Sequence, residues 1–175
     1  MALSLVDFFD LRYDHRNKSP VIFLKDTEHE KYLPVWIGEL EANSIERAVI
    51  SNAAPRPMTH DLIVNMLRDL DCTVEKVVID RLESRTYFAT LILSQNGRTV
   101  DVDCRPSDAI AIALRENASI YVDDELMYSI KFVELREGNN DEDDETGEEG
   151  HGEGTETISF QDFLKNISPA DFKDN

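Results

Sequence analysis

Apolar and polar residues alternate through "LSLVDFFDLRYD" (residues 3–14), and apolar ones crowd together in "PVIFLKD" (20–26). This pattern predicts two strands, with Asn17, Lys18 and Ser19 turning between them. "KYLPVWIG" (31–38) predicts a third strand, and Pro34, which has no N–H to give a ladder, places it at an edge or a bulge. After Gly38 the period lengthens. In "ELEANSIERAVISNA", Ala42, Ile45, Ala48 and Val49 recur at helical spacing, while Glu41, Ser44, Arg47 and Ser51 face elsewhere. "APRP" (54–57) is a rigid connector. Thr59 is the expected N-cap of a second helix, "HDLIVNMLRDL", with Asp61 in its first turn and a buried stripe of Leu62, Ile63, Met66, Leu67 and Leu70.

Three strands follow, "CTVEKVVIDRL", "TYFATLILSQ" and "RTVDVDC", turned at Ser84-Arg85 and at Asn96-Gly97, the dipeptide best suited to a tight hairpin. Alternation along the last strand sets Val100, Val102 and Cys104 on one face and Asp101 and Asp103 on the other. A third helix, "SDAIAIALREN", is expected to open at Ser107 with Asp108 beside it and to bury Ile110, Ala113 and Leu114. A short strand "SIYV" and a helical turn or two in "DDELMYSI" complete the pattern. The order of elements predicts an α+β fold, a mixed or antiparallel β-sheet packed with about three to five helices in a single domain over residues 1–136.

Composition changes the picture at the C-terminal end. Of the 36 acidic residues, ten fall in residues 137–157, a Gly-rich stretch without Lys or Arg, and the rest of the chain is left near −8 of the total −18. Such a segment cannot bury enough apolar surface to order itself and is expected to be a disordered insertion or linker. Residues 158–175 regain Ile158, Phe160, Phe163, Leu164, Ile167 and Phe172 in a helix-like pattern, expected to dock back on the domain or on a partner. Neither charge figure suits a general nucleic-acid binder, which clusters Lys and Arg. No apolar run approaches the ~20 residues of a membrane span, and the N-terminus lacks the basic region of a signal peptide. Cys72 and Cys104, without metal-type spacing, are expected to be buried thiols of a cytoplasmic protein.

P-loop, GxGxxG, GxSxG and HExxH motifs are all missing, which removes most well-marked enzyme classes but leaves phosphodiester hydrolysis open. Two echoing segments, "PRPMTHDL" and "CRPSDAIA", each place an arginine, a hydroxyl residue and an aspartate at the mouth of a helix. Arg56, Thr59, Arg105 and Ser107 form candidate phosphate sites there, because helix N-termini and guanidinium groups both receive anions. Capping, with each arginine paired to a nearby acid, explains the same motifs without a ligand. Asp101 and Asp103 point two carboxylates one way, as a Mg²⁺ or Mn²⁺ site would require, although alternating aspartates on a solvated strand face are also common. Glu39 and Glu41 near Trp36 form a weaker acidic pair. His60, Asp61 and Asp108 are the candidate catalytic groups, His60 as a general base.

Taken together, "LPVWIGELEANSIERAV", "PRPMTHDLIVNML", "YFATLIL" and "VDVDCRPSDAIAIALR", in this order and spacing, resemble the bifunctional nuclease (BFN) domain family, and "FLKNISPADF" resembles the closing segment of its bacterial members. The resemblance implies an α+β domain of bacterial cytoplasmic type with DNase and RNase activity and a tendency to self-associate, a dimer being the simplest form. No UVR motif is appended, and the acidic stretch departs from the family pattern. The implied function is hydrolysis of DNA or RNA phosphodiesters with a divalent metal. The alternative is a non-enzymatic, oligomeric interaction module with an acidic tail.

Overall fold

The computed structural model describes residues 2–129 apart from 16, 52, 53 and 85. The expectations for the acidic stretch and the closing segment lie outside the described residues. Three strands, β1 (Leu3–Asp14), β2 (Ser19–Asp26) and β3 (Tyr32–Trp36), form one antiparallel meander, and β4 (Cys72–Glu83), β5 (Thr86–Gln95) and β6 (Arg98–Cys104) form another. β7 (Ser119–Asp123) lies between them, antiparallel to β1 and parallel to β4, and makes one mixed seven-stranded sheet in the order β3-β2-β1-β7-β4-β5-β6. β3 is an edge, as Pro34 requires. The Asn96-Gly97 turn has positive φ at both residues (51° and 76°), which is why the dipeptide is Asn-Gly.

Helices α1 (Glu39–Val49), α2 (Thr59–Asp69) and α3 (Pro106–Glu116) pack beside one another, and the short α4 (Asp124–Ser129) follows β7. The α+β expectation holds, with four helices among the described residues. α3 is the centre of the packing. It lies on β4, β5 and β7, while α1 and α2 lean against it. Pro106 through Ala113, Asp108 excepted, are buried. Alanines at 109, 111 and 113 let neighbouring backbones come close, and Ile110 and Ile112 fill the gaps, each burial contributing about 1.5–3 kcal/mol. Pro106 starts the helix at its first position, and Asn117 ends it in the left-handed region (φ 52°). Beneath the helices Val77, Ile79, Leu91 and Leu93 form the core side of the sheet.

Two local expectations are corrected. Met58, not Thr59, is the N-cap residue of α2; Thr59 is the first helical residue, and the exposed N–H of Met58 is satisfied by the Asp61 carboxylate (2.8 Å). Likewise α3 begins one residue before Ser107, with Arg105 as N-cap. The side of α2 turned inward also differs. His60 and Val64 are buried with Ile63 and Leu67 alongside, whereas Leu62, Met66 and Leu70 are more than half exposed. Both cysteines are free, Cys72 buried and Cys104 half-buried.

Candidate active site between three helices

The polar faces of α1, α2 and α3 meet in one hydrogen-bonded ladder. Its middle rung is His60. Nε2 of His60 lies 2.9 Å from Asp108 Oδ1, and Nδ1 lies 2.8 Å from Ser44 Oγ. Burial pushes the Asp108 carboxyl up, but hydrogen bonds from Arg105 and His60 outweigh it and hold the group below the usual carboxylate range. An ionised carboxylate can only accept, so His60 donates through Nε2, and in the tautomer protonated only there Nδ1 is an acceptor for the Ser44 hydroxyl.

On one side of the ladder, Arg105 donates to both oxygens of Asp108 (2.7 and 3.0 Å) and to Glu41 Oε1 (2.7 Å). Glu41 reaches Arg105 by folding back over Gly38, where a Cβ would collide with its carboxylate. On the other side, Arg115 donates to Asp61 Oδ1 (2.6 Å), to the Ala111 carbonyl (2.8 Å) and to both the carbonyl and the hydroxyl oxygen of Ser44 (3.2 Å each). The Arg115 guanidinium, joined by the Met58 N–H, holds the Asp61 carboxyl below its ordinary range. Arg115 is largely buried (10% exposed) and has its hydrogen-bonding geometry fixed by these contacts.

Beside this ladder a cavity of about 360 Å³ opens between Arg47, Ala48 and Ser51 of α1 and its C-terminal turn, Ala54 and Pro57 of the connector, Asp61 of α2 and Arg115 of α3. Ser44 lies one helical turn before Arg47 and Ala48 on α1 and touches Arg115 from within. Two guanidinium groups at a concave, partly apolar site can receive a phosphate or carboxylate.

The sequence-chosen residues separate in space. His60, Asp108, Arg105 and Asp61 belong to the ladder, with Ser107 buried at the start of α3. Arg105 is taken up by its own aspartate and Glu41, so at α3 the pairing of arginine with a nearby acid is present, while no side chain caps the first turn. The echo breaks at α2. There Asp61 is paired with Arg115 instead, and Arg56, exposed in the connector between Ala54 and Pro57, makes no ion pair among the described residues. Thr59 is exposed. Asp101 and Asp103 are exposed on β6, opposite Ile92 and Thr90, and face away from the helices, since Val100 and Val102 pair with the core residues Leu93 and Leu91. Among the described residues no group of three His, Cys, Asp or Glu side chains could hold a metal ion. This pair therefore lies apart from the cavity. Burial pushes the Cys104 thiol up to about 11, with Asp108, Asp103 and Asp80 adding to it, so it stays protonated at neutral pH.

Ser44, Arg47 and Arg115 were not among the sequence candidates. Arg115 carried a signal, since it stands seven residues after Asp108 and so shares its helix face.

Residues 22–134 match the family model described as the bifunctional nuclease domain. An uncharacterized protein of Mycobacterium tuberculosis (strain H37Rv) is 35% identical over 93% of this chain and 94% of its own length. Bifunctional nuclease 1 of Arabidopsis thaliana is 32% identical over 55% of this chain and 31% of its own length. Bifunctional nuclease 2 of Oryza sativa subsp. japonica is 31% identical over 66% and 37%. The chain thus spans about a third of the length of these plant proteins.

Proposed function

Since this chain belongs to the bifunctional nuclease domain family, we propose that it hydrolyses phosphodiester bonds of DNA or RNA at the cavity between α1, α2 and α3. The observation that carries the reading is the pairing of Arg47 and Arg115 around a concave site that adjoins a histidine and a serine. The Arg47 guanidinium receives the non-bridging phosphate oxygens with the charge of Arg115 beside it, and Arg56, on the connector that forms one wall, meets a neighbouring phosphate of the strand. Asp61 serves Arg115 as a positioning partner. Its charge, and that of the whole chain, opposes tight binding of a polyanion, so binding is weak, salt-sensitive and confined to the few arginines at the site.

The test is cleavage of single-stranded and duplex DNA and RNA by full-length protein freed of contaminating nucleases, in EDTA and with Mg²⁺ or Mn²⁺. Cleavage that depends on Arg47 supports the reading, and dependence on Asp101 or Asp103 at constant stability identifies a cation recruited through β6. Absence of cleavage under every condition contradicts it and favours the interaction module.

Leu62, Met66 and Leu70 lie exposed along α2, and β6, an edge of the sheet among the described residues, exposes Val100 and Val102 on its helix-facing side. An apolar edge strand is an invitation to pairing, and pairing two copies across a two-fold axis satisfies it on both. The protein is therefore expected to be a dimer in light scattering at micromolar concentration. A monomeric mass contradicts this, and a Met66→Glu variant should shift the dimer towards monomer.

A further inference from the structure

The ladder described above has the connectivity of an activated nucleophile. Ser44 Oγ lies 2.8 Å from His60 Nδ1, and His60 Nε2 lies 2.9 Å from Asp108 Oδ1. The three residues come from three separate helices. We propose that Ser44 is a catalytic nucleophile, with His60 as its general base and Asp108 as the group that fixes the imidazole tautomer. The inference rests on the phosphodiester reading and deepens it by naming a covalent route.

Three features favour this over a purely architectural clamp. The order serine–imidazole–carboxylate is the order in which a hydroxyl is activated, each member orienting the next. The carboxylate accepts two hydrogen bonds from Arg105, which favour its ionised form and, with it, the ring tautomer that leaves Nδ1 as acceptor. Ser44 is half-buried rather than sealed in, and its oxygen also accepts from Arg115, a residue that lines the cavity. A guanidinium that lines the cavity thus touches the oxygen that attacks the phosphate, as proximity catalysis requires.

In the step, Ser44 Oγ forms a bond to phosphorus and its proton passes to His60 Nδ1. The phosphorus–oxygen bond to one nucleoside breaks, and that oxygen leaves with the proton from His60. The other nucleoside stays on Ser44 as a phosphodiester. Water then gives a proton to His60, attacks phosphorus and displaces Ser44 Oγ, which recovers the proton.

A fluorophosphonate probe tests this without any nucleic acid, because a serine displaces fluoride from it rapidly only when its hydroxyl is activated. The full chain is expected to be labelled at Ser44, located by peptide mass spectrometry, and His60→Gln is expected to slow labelling by about a hundredfold or more. Ser44→Ala is expected to lose the label and to cut nucleic-acid cleavage per folded molecule by about a thousandfold or more. Labelling of Ser44 in a protein that cleaves neither DNA nor RNA upholds the relay and overturns only the phosphodiester reading. Absence of label on Ser44 of the folded wild-type chain overturns the relay, whatever the variants do, and leaves the nuclease assay to be judged by itself.

Discussion

Asp108→Ala is expected to destabilise the protein by about 3 kcal/mol, because it strands the buried His60 donor and removes a carboxylate that joins two helices. His60 is only 8% exposed and would keep an Nε2–H with no acceptor, and Arg105 would lose two of its three hydrogen bonds. Asp108→Asn, which keeps one acceptor oxygen, should cost roughly half as much. Arg105→Ala should cost less than about 1 kcal/mol, because its side chain is 64% exposed and its ion pairs are solvent-screened. Urea denaturation of the three variants gives this ranking, and equal effects for Asp108 and Arg105 would contradict it. The sign with pH follows. Asp108 and Asp61 both have folded-state values below the ordinary carboxylate value. Their contribution is complete above the unfolded value, roughly pH 4, and is lost as pH falls through the lower folded values. Stability should therefore fall on acidification below about pH 4, less steeply in Asp108→Asn than in wild type.

Arg115→Met should have a comparable effect on stability and a larger one on the cavity. Four hydrogen bonds from one largely buried guanidinium hold α1, α2 and the end of α3 together. Without it Asp61 loses its charged partner, the Ser44 carbonyl loses a donor, and the cavity loses one of its two cations. A cost of about 3 kcal/mol is expected, or a fall in melting temperature of roughly 6–12 °C for a chain of this size. Arg115→Lys should recover less than half of it, because an ammonium cannot span Asp61 and Ser44 together. Full recovery by lysine in differential scanning calorimetry would mean that only the charge matters, against the geometry described.

The sheet was legible in the sequence because its signals are local. Alternation marks β1 and β6, Asn96-Gly97 marks a turn that needs positive φ twice, and Pro34 marks an edge. α2 was misread for a physical reason. Leu62, Met66 and Leu70 repeat every fourth residue, as a core stripe does, yet α2 turns His60 and Val64 inward. A period tells which residues share a face, not which face meets the core, and here a buried histidine with two partners goes in ahead of three apolar side chains. At α3 the spacing of Arg105 and Asp108 was enough to foresee their pairing. The partnership of Ser44, His60 and Arg115 was not legible, because Ser44 and Arg115 stand 71 residues apart and meet only when α3 packs between the other two helices.

The central claim is that the three-helix cavity grips a phosphodiester through its arginines. Its most direct measurement is the salt dependence of single-stranded oligonucleotide binding and cleavage by the full chain, wild type against Arg47→Ala, Arg56→Ala and Arg105→Ala. Arg47→Ala and Arg56→Ala are expected to weaken binding and lower the salt slope by about one each, at a stability cost below about 1 kcal/mol. Arg105→Ala is expected to leave the slope unchanged, because its guanidinium is already committed to Asp108 and Glu41. A slope that falls with Arg105 and not with Arg47 would contradict the account and move the phosphate to the mouth of α3.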